Sequence, residues 1–181
     1  MAFDPMGAGT WQTLARWDRQ LLVRMRTHHH TDANVERAVA LFSRSGEHAA
    51  AWFVLGAVGL AFSAPDDQRR LAWQRGLLAT AAAYALNTAI KYRVRRPRPQ
   101  LEGLPALTPV VSALSFPSAH ATTSFAAATA YSRSAPGASA ALYMLAGAYA
   151  VSRPYLGVHY PSDVAVGAAL GTVTGLALRG R

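Results

Sequence analysis

The sequence predicts an all-α protein: an integral membrane helical bundle with five or six transmembrane helices plus an N-terminal amphipathic helix. Three observations carry that expectation. Apolar stretches recur at 49–64, 71–90, 119–131, 138–151 and 164–178, and the short segments between them hold most of the Pro and Arg residues. The stretch 49–64 has no charged residue, and 164–178 has only Thr172 and Thr174 as polar ones; a helix on a soluble bundle keeps a polar face at the 3.6-residue period. Gly167, Gly171 and Gly175 recur every fourth residue, the small-xxx-small face that lets membrane helices approach closely.

Most of these stretches fall short of the ~20 residues that a perpendicular crossing needs, so a soluble five-helix core is the competing reading. Ahead of them, residues 1–45 have a different character. Trp11, Leu14, Trp17, Leu21 and Leu22 are interspersed with Arg16, Arg19, Arg24 and Arg26 in an amphipathic helical pattern. Such a helix either lies on an anionic membrane surface or packs on the bundle, and the pattern leaves both open. Residues 35–42 form a candidate short helix and sixth crossing. The beginning of the sequence, with Asp4 and then Trp11 to Arg19, has no apolar run before a small-residue cleavage site, so no cleavable secretory signal is expected. The expected organisation is an N-terminal interfacial region, 1–45, and a membrane-embedded core, 46–181.

Composition narrows the chemistry. Lys and Arg number 18 against 9 Asp plus Glu, a net charge of +9, which favours anionic partners: phosphates, acidic lipid headgroups or nucleic acid. The absence of cysteine excludes disulfides, thiolate metal sites and a cysteine nucleophile. His28, His29 and His30 form a run with metal-binding chemistry, but Thr27, Thr31 and Asp32 around it favour a solvated turn. No complete metal-ligand set is evident.

Three segments carry candidate chemistry. Lys91 to Pro99 is a dense cationic run directly after an apolar helix, where cations also favour the C-terminal end of the helix dipole or reach toward headgroups. A nucleic-acid arm would need repeated aromatic interleaving or a recognised module, and the run has neither. Pro117-Ser118-Ala119-His120 opens the next helix; Ser118 suits an N-cap, and the free N–H groups of that first turn suit an anion. Ser152-Arg153 and then His159 and Asp163 lie in a loop between two apolar helices. The four-residue spacing lets the carboxylate meet one imidazole nitrogen and leaves the other free to attack.

In this order the segments resemble the type 2 phosphatidic acid phosphatase superfamily, whose pattern is Lys, six residues, Arg-Pro; then Pro-Ser-Gly-His; then Ser-Arg, five residues, His, three residues, Asp. Ten of the eleven specified residues match: Lys91, Arg98 and Pro99; Pro117, Ser118 and His120; Ser152, Arg153, His159 and Asp163. Ala119 stands where the family has Gly, a change that could crowd the pocket or forbid a positive φ. The resemblance covers roughly residues 71–178. It implies metal-independent phosphoryl transfer in which His159 is the nucleophile, Asp163 orients it and His120 protonates the leaving group. Lys91, Arg98, Ser118, Ala119 and Arg153 would hold the phosphate.

The implied substrate is a lipid phosphate or diphosphate, polyprenyl-linked or glycerolipid, and small actinobacterial members that act on decaprenyl-linked sugar phosphates look most similar. No cofactor is expected, vanadate is expected to inhibit, and the expected partners are the lipid substrate and membrane lipids rather than nucleic acid. A homo-oligomer is left open. The alternative within the superfamily is a soluble acid phosphatase or vanadate-dependent haloperoxidase. Arg69, Arg70, Arg75, Arg133, Arg179 and Arg181 fall on the face away from the motifs, so the positive-inside rule places the site on the extracytoplasmic side of a multi-pass cell-membrane protein.

Overall fold

The computed structural model describes residues 8–28, 32–63 and 66–180. The side chains of Trp11, Leu14 and His28, and all of Asp4, His29, His30, Thr31 and Arg181, lie outside the described residues, and so do the expectations that fall on them. Seven α-helices follow in order among the described residues: α1 (Ala8–His28), α2 (Ala33–Ser45), α3 (Ala50–Ala61), α4 (Asp67–Val94), α5 (Ala119–Ser134), α6 (Ser139–Tyr155) and α7 (Pro161–Leu178). An isolated bridge between Pro97 and Leu114 is the one piece of β-structure among them.

Each expected apolar stretch is a helix, and the differences lie at the ends. α4 starts ahead of its apolar run because the Asp66 carboxylate accepts from the Arg69 N–H at 3.0 Å, satisfying an orphan donor of the first turn. It runs on through Lys91 and Arg93, cations that favour the C-terminal end of the dipole. α7 starts at Pro161, whose missing N–H costs nothing at that position, and the Asp163 carboxylate accepts from the Tyr160 N–H at 2.9 Å.

α5 is the central helix and is buried on nearly every side, against α4, α6 and α7. It is built from Ala, Ser and Thr, whose small side chains allow neighbours on all faces. Its hydroxyls are satisfied within the helix, as where Thr122 donates to the Ser118 carbonyl at 2.9 Å. The glycine face of α7 lies on it. A Cβ at Gly171 would overlap the Thr122 carbonyl, and one at Gly175 would stand 2.7 Å from the Ala126 carbonyl. Trp52, Trp73, Tyr131 and Tyr149 form the aromatic part of the core, and Trp52 Nε1–H donates to Ser124 Oγ at 2.7 Å.

The large aliphatic side chains point the other way. Val54, Leu78, Met144, Val151 and Val173 are all exposed. α7 is the one helix among the described residues with the length and hydropathy of a membrane span; Glu47–Ala61 is apolar but shorter. α1 packs against α6 and α7 through a face of Asp18, Leu22 and Arg26, while Arg16, Trp17, Arg19 and Leu21 stay outside. Arg26 donates to the carbonyls of Tyr155 at 2.9 Å and Pro105 at 2.7 Å, fastening α1 to the end of the bundle where the motifs meet.

Candidate active site

The three motifs come together where the C-terminal ends of α4 and α6 meet the N-terminal ends of α5 and α7. α4 stops at Arg95, a non-glycine residue in the left-handed region (φ 56°), which turns the chain sharply. The next residues pair with the segment leading to α5: Ser115 N–H donates to the Arg96 carbonyl at 2.8 Å and Arg98 N–H to the Ala113 carbonyl at 3.3 Å. That pairing returns Arg98 toward the bundle. Its guanidinium donates to the Ser112 carbonyl at 2.6 Å, to the Val158 carbonyl at 2.7 Å, and to His159 Nε2 at 3.0 Å. Lys91 Nζ donates to the carbonyls of Leu114 at 3.2 Å and Pro117 at 3.0 Å.

The contact with Arg98 fixes the state of His159. A guanidinium is a donor only, so Nε2 must accept, and the neutral ring then carries its proton on Nδ1. Nδ1 faces Asp163 Oδ2 at 3.4 Å, long for a hydrogen bond and within ion-pair reach. The ring is buried. Burial, and then the positive charges of Arg98, Arg153 and Lys91, hold its pKa well below the ordinary histidine value. His159 is therefore a neutral imidazole with its Nε2 lone pair directed at a cation.

His120 and Arg153 share one partner, Ser43 of α2. His120 Nε2 lies 2.9 Å from the Ser43 carbonyl, which accepts only, so Nε2 bears hydrogen and Nδ1 is the nitrogen left to exchange a proton. Arg153 donates to Ser43 Oγ at 2.6 Å, and Ser152 Oγ donates to the same hydroxyl at 3.1 Å. A cavity of about 190 Å³ is lined by Lys91, Arg98, Ala119, His120, Arg153 and His159 together with residues of other segments.

Ser118 and Asp163 stand behind that wall. Ser118 is fully buried, its Oγ accepts from Ala121 N–H at a long 3.5 Å as an N-cap, and its own N–H donates to the Asp163 carbonyl at 3.0 Å. Ala119 is the first residue of α5 and takes no left-handed conformation, so the exchange of glycine for alanine meets no backbone obstacle here. The described residues hold no group of three or more His, Cys, Asp or Glu placed to bind a metal ion.

A family model described as the PAP2 superfamily matches residues 72–179. The chain belongs to that superfamily. It is 43% identical over 133 residues to a protein of Mycobacterium tuberculosis (strain ATCC 25618 / H37Rv) named decaprenylphosphoryl-5-phosphoribose phosphatase, a match covering 74% of this chain and 72% of that one. Among solved structures it is similar to Aquifex aeolicus LpxE, with a TM-score of 0.72, 24% identity and 98% of each chain covered. It is also similar to a transmembrane PAP2 type phosphatidylglycerolphosphate phosphatase from Bacillus subtilis, with a TM-score of 0.69, 21% identity and 93% and 85% covered. These last two likenesses concern the fold.

Two groups of residues in this PAP2 chain reach the site without belonging to a motif. Arg96 sits inside the first block yet is not one of its specified positions. It donates to Asp163 Oδ1 at 2.8 Å, to Asp18 Oδ2 at 2.8 Å and to Ser162 Oγ at 2.8 Å, and lies 4.0 Å over the Tyr160 ring. Asp18 in turn accepts from Ser162 N–H at 2.9 Å and from the Ser162 hydroxyl. The second group is Ser43 with the corner after it, where Gly46, Glu47 and His48 line the cavity. The density of arginines marked the neighbourhood of Arg96. Nothing local marks Asp18 or Ser43, whose partners lie 144 and 77 residues away.

Proposed function

We propose that this chain is a multi-pass membrane phosphatase that hydrolyses a lipid-linked phosphate monoester through a phosphohistidine on His159. The lipid phosphate phosphatase class follows from the family and from the names of its relatives. The observation that carries the mechanism is the neutral His159 imidazole, its Nε2 on a cavity that also holds Lys91, Arg98, Arg153 and His120. A phosphoryl group bound there accepts from the three cations and from the first amides of α5. It thereby draws Arg98 off Nε2 and releases the lone pair.

Nε2 then attacks phosphorus in line, the P–O bond to the leaving group breaks, and His120, an imidazolium beside the bound phosphate with its second proton on Nδ1, gives that proton to the departing oxygen while Nε2–H stays on the Ser43 carbonyl. Asp163 holds the Nδ1 proton and stabilises the imidazolium that forms, and Arg96 holds Asp163. In the second half His120 takes a proton from water, the hydroxide attacks phosphorus, and the P–N bond breaks to return neutral His159. Every charge in this account is supplied by side chains and helix amides, and no step calls for a metal. Vanadate, which adopts the same trigonal-bipyramidal shape, is expected to inhibit.

The membrane part of the proposal rests on the distribution of side chains. Small and hydroxyl-bearing residues fill the interior around α5 while large aliphatic ones face out, the arrangement expected where lipid rather than water surrounds the bundle. We assign α3–α7 as five crossings, with α2 as the sixth candidate. Arg69, Arg70, Arg133 and Arg179 lie at the helix ends away from the site, a distribution that under the positive-inside rule supports an extracytoplasmic site. The 43% identity to the mycobacterial protein favours a prenyl-linked sugar phosphate of the decaprenylphosphoryl-5-phosphoribose type.

The test is phosphate release by the purified chain in detergent, with chelator present, from prenyl, glycerolipid and water-soluble phosphates. The expected result is metal-free, vanadate-sensitive release, greatest for the prenyl-linked sugar phosphate and abolished in His159→Ala. Equal release from the His159→Ala protein would rule out the mechanism.

A further inference from the structure

The cavity has a stretch of wall that the phosphate chemistry does not use. Gly46, Glu47 and His48, at the corner between α2 and α3, line it together with Tyr84 of α4. Glu47 is the one acidic residue on a wall that carries Lys91, Arg98 and Arg153. Its carboxylate has no hydrogen-bond or ion-pair partner among the described residues, although it lies within Coulombic reach of Arg153. Beside it His48 Nδ1 and the Tyr84 hydroxyl are 2.8 Å apart. The corner is held in a costly shape: His48 and Ala49 are consecutive non-glycine residues in the left-handed region, at φ 54° and 59°.

Its position relative to the chemistry follows from the cavity that Gly46, Glu47 and His48 share with His120, Arg153 and His159. The corner packs on the Cδ2 edge of the His120 ring, where a Cβ at Gly46 would stand 3.1 Å away, and leaves the Nδ1 edge free. Whatever is bonded to the departing oxygen shares that cavity with residues 46–48. An ionised carboxylate only accepts hydrogen bonds, so it calls for a donor on the leaving group. An ammonium donor is opposed by the three neighbouring cations. Neutral hydroxyls are not, and a phenol–imidazole pair both donates to and accepts from them.

We infer that Glu47, His48 and Tyr84 form a subsite for hydroxyl groups of the leaving group, selecting a phosphate carried on a polyhydroxylated, sugar-like unit over one carried directly on a prenyl or acyl chain. The subsite deepens the phosphatase proposal above and rests on it. The exposed Val111 and Tyr92, which also line the cavity, offer an apolar rim for the lipid beyond that unit.

The experiment compares methyl 5-phosphoribofuranoside with its 2,3-dideoxy counterpart, with farnesyl phosphate as reference, on the full-length chain in detergent. The expected result is a kcat/KM at least about tenfold higher for the hydroxylated member of the pair, the scale of one or two hydrogen bonds at a half-open site. Glu47→Gln and Tyr84→Phe should each shrink that ratio by about threefold or more, the loss of a single such bond. A wild-type ratio near one, or variants that keep the wild-type ratio, would overturn the subsite. Cleavage of farnesyl phosphate with no discrimination within the pair sinks the subsite alone; release from none of the three sinks the phosphatase reading with it.

Discussion

The site is assembled from two regions that work in different ways. Residues 91–163 hold the groups proposed to meet the phosphoryl unit, in short blocks at the ends of α4–α7, and the blocks on α5 and α7 are positioned by close contact of those helices through Gly167, Gly171 and Gly175. Residues 18–48 supply single groups from α1 and α2 that hydrogen-bond to the motif residues or to the side chains that hold them: Asp18 on Arg96 and Ser162, Ser43 on His120 and Arg153. The first region fixes the place of the chemistry and the second the orientation of its side chains. Damage to the helix packing that positions the first should cost folding, and damage to the second should cost rate.

The largest effect expected from that division is at Gly171. Gly171→Val drives a branched side chain into the Thr122 carbonyl of α5, backbone against backbone with no flexible group to give way. A loss of about 3 kcal/mol or more is expected from such overpacking, read as a drop in the thermal unfolding midpoint in detergent. Activity should fall only in step with the folded fraction.

Ser43→Ala should do the reverse. It removes the acceptor that Arg153 and Ser152 share, at 2.6 and 3.1 Å, but leaves the backbone carbonyl that holds His120. A decrease of about tenfold in kcat/KM, appearing mainly in KM, is the expected outcome with the midpoint shifted by only a few degrees. Asp18→Asn, which weakens the hold on Arg96 and Ser162, should lower kcat by about threefold while leaving KM in place. A large stability loss with no change in rate for either variant would erase the distinction between the regions.

The smallest expected effect concerns pH. Because the His159 pKa is depressed in the folded protein, the imidazole stays neutral as pH falls through the ordinary histidine value of about 6.5, and the nucleophile is lost only further down. By the same sign, folded-state stability from this group is complete above about 6.5 and declines below it, because the unfolded chain takes up a proton there while the buried ring stays neutral. Arg98→Gln removes the nearest cation, so the acid limb of the single-turnover rate should move upward. A limb that stayed put would assign it to another group.

The two regions also differed in how far the sequence could reveal them. The helices were legible from α3 to α7 because apolar runs and glycine spacing report directly on a packed apolar segment, and the motif residues were legible because each block keeps a fixed spacing over a few positions at one helix end. The burial of Ser118 behind the cavity wall was not, since a cap and a ligand use the same residue. Asp18 and Ser43 carry no local mark: a serine in an amphipathic helix looks the same whether its hydroxyl meets water or Arg153. Amphipathic periodicity in α1 left surface and bundle equally open, and it is the buried Asp18, Leu22 and Arg26 face that joins the helix to α6 and α7.

The central claim is a covalent phosphohistidine on His159, and trapping it tests that claim most directly. A millisecond mixing of the detergent-solubilised chain with a prenyl-linked sugar phosphate, quenched in alkali, should yield a phosphorylated peptide containing His159. Because a P–N bond survives base and is lost in acid, the same sample taken through acid should lose the label. No label should form in His159→Ala. Label on any other residue, or turnover at the normal rate with His159 replaced, would contradict the account.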